Sequence, residues 1–255
     1  MRLLIIRHAD PDYTVDSITP EGVIQAECLG ERLRSTRIDR VYVSPLGRAR
    51  ATADTALRGT GLDYEVLPWL QEFRGRAFDA FRGISRIPWD LKHDQWYDEK
   101  GFEDRDAWAD AGYLKGTNVR AVWEETKDGL DRVLKDNGYA RESGLYRCAP
   151  GGNDLTLAFI CHFGVGCAMT AHLTGLPALP MWHATCMMPT GINILLTEER
   201  DPGLASFRCV AYGDLGHLYS KGVPPTWHGM YPERYNGVDS TDPGRWPAPG
   251  RDLWR

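Results

Sequence analysis

Arg7, His8, Arg48, Glu72 and His162 are the residues of this chain whose types and positions can do chemistry together. Two arginines offer planar forks that match phosphate oxygens two at a time. A histidine can attack phosphorus through one ring nitrogen if a backbone carbonyl fixes the proton on the other. A carboxylic acid can protonate a leaving alkoxide when its surroundings raise its pKa. A second histidine adds a donor, and the backbone N–H of Phe163, at the start of a helix, adds another. Positive charge spread over such a pocket stabilises the equatorial oxygens of a phosphoryl group in transfer. The set reads as a machine for cleaving phosphate esters. His8 is the expected nucleophile and Glu72 the expected acid, while Arg7, Arg48, His162 and Phe163 hold the phosphate. This chemistry calls for no metal and no cofactor, because the arginines and histidines neutralise the charge.

Taken singly, each residue has a plainer explanation. An Arg-His pair after a strand is more often a surface feature, and a lone histidine after an apolar strand is more often packed in the core. What raises them above that background is the kind of place each occupies. The apolar run Leu3–Ile6 reads as a buried strand, and Arg7-His8 follows it directly. A second strand over 38–43 is broken by Ser44-Pro45, and Arg48 falls in the first turn of the helix predicted over 47–57. Glu72 follows a third strand at 64–67, and His162 follows the clearest one, at 155–161. In an open α/β sheet the ligand crevice lies beyond the carboxyl ends of the strands. Polar groups at successive strand ends therefore converge on one pocket.

Helices fill the alternation. Thr19 is a suitable N-cap and Pro20 suits the first turn of a helix whose apolar face is Val23, Ala26, Leu29, Gly30 and Leu33. Further helices are expected over 119–135 and 164–173, and strands over 192–197 and 207–212 joined as a hairpin. The fold class is thus α/β, a three-layer α/β/α arrangement with a mainly parallel sheet and one antiparallel strand. The whole chain reads as one domain with two additions. Residues 74–116, rich in Trp, Asp, Arg and Gly without a clear period, look like an inserted lid. The Pro- and Trp-rich tail, 220–255, is expected to lie on the surface, anchored by Trp227, Trp246 and Trp254.

Composition narrows the partners. The net charge is -5, which argues against a protein that wraps nucleic acid. No stretch has the length of a membrane span and the first apolar run is too short for a signal peptide, so a cytoplasmic protein is expected. The six cysteines form no Cys-x-x-Cys pair and read as free thiols. Cys161, His162, Cys167 and His172 are conceivable zinc ligands, but their spacing fits no tight structural site. The expected partner is a small phosphorylated substrate; a homodimer is compatible with the Trp-rich segments.

The motifs resemble those of the histidine phosphatase superfamily, which includes the cofactor-dependent phosphoglycerate mutases. Arg7-His8-Ala9 resembles its Arg-His-Gly signature, and Ser44-Pro45-Leu46-Gly47-Arg48-Ala49-Arg50-Ala51-Thr52-Ala53 its second motif. Leu70-Gln71-Glu72 resembles the segment carrying the proton donor, and Cys161-His162-Phe163-Gly164 the second histidine motif. The resemblance runs from Met1 to about Tyr212. It implies that His8 is phosphorylated, that Glu72 is the acid/base, and that Arg7, Arg48 and His162 hold the phosphate. Ala9 stands where the family has glycine, Asp10 and Asp12 put negative charge near the rim, and Phe163 replaces a small residue.

Within the family, a phosphatase fits better than a mutase. The stretch Asp10–Ile18 does not match the loop of true mutases, and the insertion holds eight basic and nine acidic residues. Arg74, Arg76, Arg82 and Arg86 could form a basic wall over the pocket, or be solvated and paired to neighbouring acids. A catalytically silent relative that binds phospho-ligands or a protein is the reading from another class, and the intact motif set speaks against it. His93 reads as exposed and His172 as packed; His183 could face the far side of the pocket, and His217 and His228 have no evident partner.

Overall fold

The computed structural model describes residues 1–228. An eight-stranded mixed sheet runs through it in the order β5-β4-β10-β1-β11-β12-β9-β8. Its strands are β1 (Arg2–Arg7), β4 (Arg40–Val43), β5 (Tyr64–Val66), β8 (Ala140–Glu142), β9 (Leu145–Arg147), β10 (Thr156–Cys161), β11 (Ile192–Asp201) and β12 (Leu204–Asp214). The pairs β5–β4, β4–β10 and β10–β1 are parallel. β11 joins β1 antiparallel and turns back into β12 as the expected hairpin, though both strands are longer than their apolar cores indicated. A second hairpin, β8–β9, extends the sheet beyond β12 and has no counterpart in the sequence reading. Its strands are three residues each, too short to show alternation.

β1 explains the layering. Its apolar run alternates across the sheet, and both faces are buried. Leu3 and Ile5 enter one core with Leu130, Leu134, Val165 and Met169, which come from α4 (Val119–Asp136) and α5 (Phe163–Thr174). Leu4 and Ile6 enter the other with Leu29 and Leu33 of α1 (Pro20–Arg34) and Ala49, Ala53 and Ala56 of α2 (Gly47–Ala56). Each fully buried Leu or Ile contributes roughly 1.5–3 kcal/mol relative to exposure. This double burial is why the segment reads as an unbroken apolar run. Thr19 caps α1 by accepting from the Gly22 N–H, as its place before Pro20 implied. One face residue departs from expectation: Val23 is exposed, and Gly22, Gln25 and Cys28 take part in the buried face instead.

The segment 74–116 folds without long elements. It holds the hairpin β6 (Ala77–Asp79)–β7 (Ile84–Arg86), the single turn α3 (His93–Trp96) and three short 3-10 turns. Trp108 from this segment is fully buried between Trp123 of α4 and Trp182 of α6 (Ala178–Ala184). Most of its arginines are tied to neighbours. Arg74 pairs with Glu125, Arg82 with Asp79 and Asp94, and Arg76 bonds to Ser85. For Arg74 and Arg82 that outcome matches the alternative of pairing to neighbouring acids, whereas Arg76 is held by a serine. After β12 a short helix, α7 (Gly216–Tyr219), packs on α1. The small ladder β2 (Pro11–Asp12)–β3 (Ser17–Ile18) shapes the loop after His8. No helix among the described residues is long and apolar enough to cross a membrane. Trp227 is half-buried; Trp246 and Trp254, the other expected anchors of the tail, lie outside the described residues.

Candidate active site

Sheet register brings the site together. β1 and β10 pair in parallel with Arg7 opposite Cys161, so the residues that follow, His8 and His162, leave the sheet side by side. Their rings lie 5.1 Å apart. β4 pairs on the other side of β10 with Val43 opposite Ile160, which sets Ser44 beside His162. Arg48 enters from the first turn of α2. Glu72 arrives six residues after β5, carried back by the 3-10 turn Pro68–Leu70.

The orientation of His8 follows from one hydrogen bond. Its Nδ1 lies 2.7 Å from the carbonyl of Ala9, which can only accept, so the proton sits on Nδ1. Nε2 keeps its lone pair, and Arg48 Nε donates to it at 3.3 Å. Burial, reinforced by the charges of Arg7 and Arg48, holds the ring well below the usual histidine range. The imidazole is therefore neutral, with its free nitrogen turned toward the cationic side of the pocket. Ala9 is itself fixed: its N–H donates to Thr52 Oγ1, whose hydroxyl donates to the Arg48 carbonyl. The methyl that replaces the family's glycine is fully buried.

Among the site residues Arg7, His8, Arg48, Glu72 and His162, two buried polar atoms have no hydrogen-bond partner within the described residues, Arg7 Nε and His162 Nδ1. Arg7 Nη1 donates to the carbonyls of Met187 at 2.5 Å and His228 at 2.9 Å. His162 Nε2 is 2.6 Å from Ser44 Oγ. Burying a polar group without a partner costs on the order of 1–3 kcal/mol. Two such atoms beside one nucleophile mark a place where a ligand's oxygens would sit.

Glu72 is held differently. Its Oε1 accepts from the N–H groups of Phe73 at 2.7 Å and Val165 at 3.0 Å. Desolvation by burial is the strongest influence and raises its pKa above the usual carboxyl range, although these bonds, the Gly164 N–H and the charge of Arg48 work the other way. Two of the first amides of α5, those of Gly164 and Val165, thus serve Glu72, and the Phe163 N–H is not among its partners. Phe163, expected to contact substrate, turns its ring onto Trp89 at 5.8 Å.

Several participants escaped the sequence reading. Asp16 accepts from Arg48 Nη1 at 2.6 Å and from the Gly47 N–H at 2.7 Å, so the loop after His8 anchors the phosphate-side arginine. Asp16 adopts a left-handed conformation, with φ of 48°. Gly47 is required there, because a Cβ would lie 2.0 Å from the Asp16 carbonyl. Asp10 is buried and not an open rim charge. Burial alone would raise its pKa, but hydrogen bonds from His228, Thr226 and Thr19 outweigh it and leave it lowered. His228, expected to be unpartnered, sets Nδ1 2.5 Å from Asp10 Oδ1. His217 is also partnered, by Thr190. No local signal announces these contacts, since each joins residues far apart in the chain. His172 packs against Asp131 as expected, and His93 is exposed. Among the described residues no three His, Cys, Asp or Glu side chains gather as a metal site. Burial keeps the thiols of Cys161 and Cys167 protonated, Cys167 being pushed up to about 12.

Comparison with known proteins agrees with the geometry. The family model of the histidine phosphatase superfamily (branch 1) matches residues 3–210. An adenosylcobalamin/alpha-ribazole phosphatase of Salmonella typhi is 27% identical over 192 residues, covering 72% of this chain and 84% of its own. That of Escherichia coli K12 is 25% identical over 196 residues, with the same coverage. Among solved structures, a mycobacterial glucosyl-3-phosphoglycerate phosphatase superposes with a TM-score of 0.56 at 20% identity, over 83% of this chain and 98% of its own. A phosphoserine phosphatase of Entamoeba histolytica gives 0.55 at 18% identity, over 85% and 98%. These two establish likeness of fold.

Proposed function

The chain belongs to the histidine phosphatase superfamily, and from that premise we propose that it is a phosphomonoester hydrolase that works through a phosphohistidine on His8. The observation that carries the reading is the neutral His8 ring with its proton on Nδ1, set beside the two unpartnered donors Arg7 Nε and His162 Nδ1. Nε2 attacks phosphorus, and the P–O bond to the substrate alcohol breaks. Glu72, entering as the carboxylic acid, gives its proton to the departing oxygen. Arg7, Arg48 and His162 take the three equatorial oxygens, where charge must be held. In the second half, water attacks the phosphohistidine while the Glu72 carboxylate accepts its proton. The N–P bond breaks, phosphate leaves, and His8 returns to its neutral form. No metal ion enters this cycle. That the relatives matched over most of their length are phosphatases supports hydrolysis over phosphoryl transfer, as does the pairing of Arg74, Arg76 and Arg82 to neighbouring groups. The substrate is read as a small phosphorylated metabolite.

The test is hydrolysis of p-nitrophenyl phosphate, with a chelator present, by the native protein and by His8→Ala. Turnover that persists with chelator and disappears in the variant is expected, along with an acid-labile phosphoryl label on the native protein only. Native-level activity in His8→Ala would sink the nucleophile assignment.

A further inference from the structure

One side of Glu72 is covered by a side chain from the insertion. Trp89 sits in the 3-10 turn Pro88–Asp90. Its benzo edge lies over Gly164, in the first turn of α5. A Cβ built on Gly164 would be 2.3 Å from Trp89 Cη2, 2.4 Å from Cζ3 and 2.7 Å from Glu72 Oε1. The indole edge and the carboxyl oxygen therefore converge over one bare Cα, and only glycine leaves room for both. The ring is clamped from its other sides: it meets Phe163 edge-on, and Trp182 at 5.5 Å. Trp182 in turn donates from Nε1 to the Gly164 carbonyl at 2.9 Å. The turn bearing Trp89 is pinned as well. His183 Nε2 lies 3.2 Å from the Pro88 carbonyl, and its ring stacks on Trp96 at 4.3 Å with an interplanar angle of 15°.

We infer that Trp89 is a positioning residue for the proton donor: its ring closes the space over Gly164, shields that side of the half-buried Glu72 from water, and fixes the carboxyl against the amides of Phe73 and Val165. The inference rests on Glu72 being the acid. Removal of a carboxyl from water favours its protonated form, and the groups facing Glu72 leave that task to burial. Arg48, from α2, acts to lower the pKa, as do the amides of Phe73, Gly164 and Val165. Cys161 and Cys167, from β10 and α5, are neutral thiols. An aromatic wall is thus the element that works with burial to favour the protonated acid. The insertion takes part in the chemistry through this contact.

The experiment is the pH dependence of kcat/KM for an alkyl phosphate and for p-nitrophenyl phosphate, measured in the native protein, Trp89→Ala, Trp89→Phe and Glu72→Gln. An aryl oxide leaves without help, so the acid matters only for the alkyl ester. In Trp89→Ala the alkaline limb of the alkyl profile is expected to move to lower pH, with a loss of about tenfold in rate on that limb for each unit it moves. Aryl turnover should stay within about threefold, and Trp89→Phe should recover most of the shift. Should Trp89→Ala not fold, Trp89→Leu is read in its place, since its shorter side chain uncovers Gly164 while leaving Glu72 and its amide partners untouched, and the same shift of the alkaline limb is expected. A native limb that none of these variants moves overturns the role of Trp89 alone. A native alkyl profile whose alkaline limb survives in Glu72→Gln overturns the acid assignment, and the role of Trp89 with it.

Discussion

Ser44→Ala removes one oxygen from the site and tests how the second histidine is prepared. Ser44 and His162 are both fully buried, with Oγ 2.6 Å from Nε2. The Leu46 N–H donates to the same hydroxyl, so the hydroxyl proton is free to go to Nε2. That choice leaves the ring proton on Nδ1, the unpartnered atom proposed to meet the phosphate. Alanine strands Nε2, a loss of about 1–3 kcal/mol for a buried group left unpaired. In a chain of this size that is a fall in Tm of roughly 2–4 °C per kcal/mol. The ring can then hold its proton on either nitrogen, and the phosphate loses a fixed donor. Deleting a donor to developing charge outright lowers kcat by about 100- to 1,000-fold. Unfixing one should lower kcat/KM by less, about 10- to 100-fold. The assay is kcat/KM on p-nitrophenyl phosphate together with urea unfolding, for Ser44→Ala, His162→Ala and the double variant. Because the serine acts through the histidine, its effect on activity should nearly vanish in the His162→Ala background. Additive losses would refute the argument, as would a Ser44→Ala variant that is destabilised yet keeps kcat/KM within twofold.

Three more outcomes follow from the same geometry. His8 is held below the usual histidine pKa by burial and two arginines, so kcat/KM on an aryl phosphate, corrected for ionisation of the substrate, should not fall as pH drops through about 6.5, where an ordinary histidine protonates; a half-loss at that pH would contradict it. Glu72 has a raised pKa in the folded state, so its stabilising contribution is present below its unfolded pKa and is lost as pH rises through the folded one; Glu72→Gln should therefore raise Tm at pH 8, with the gain shrinking toward pH 4, and a pH-independent difference would count against it. Gly47→Ala drives a methyl to 2.0 Å from the Asp16 carbonyl, which should destabilise the protein by about 1–3 kcal/mol and release Arg48; a change below 0.5 kcal/mol in urea unfolding, ordinary for a neutral surface site, would mean the loop is not fixed there.

What could be read from the sequence, and what could not, divides along a physical line. β1, β4, β10 and α2 carry their own signals, namely runs of apolar residues, a Ser-Pro break and a helix start. Once strands are ordered in a parallel sheet, their ends must meet, and Arg7, His8, Arg48 and His162 came with them. Glu72 follows the third strand less directly, since a 3-10 turn separates it from β5, and its place and its motif point to it together. The partners that tune these groups left no trace. Asp16 reaches Arg48 across 32 positions and His228 reaches Asp10 across 218. Nothing near either residue indicates where the other will fall. Residues 74–116 were opaque for another reason: their turns span three or four residues each, too few for any period to repeat.

The placement of β1 also bears on how the molecule comes into being. The strand precedes every other strand described, yet its neighbours in the sheet are β10 and β11, whose pairings join Arg2 to Thr156 and to Leu196. During synthesis from the N-terminus, Leu3–Ile6 must wait for partners more than 150 residues away, with both edges of the strand unsatisfied. Contacts this distant in sequence slow folding, and exposed apolar edges invite mispairing with other chains. His8 is thus synthesised well before its place in the site can form. No fragment that stops short of β10 holds His8 beside His162, so catalytic competence should appear in one late step and not accumulate as the chain grows.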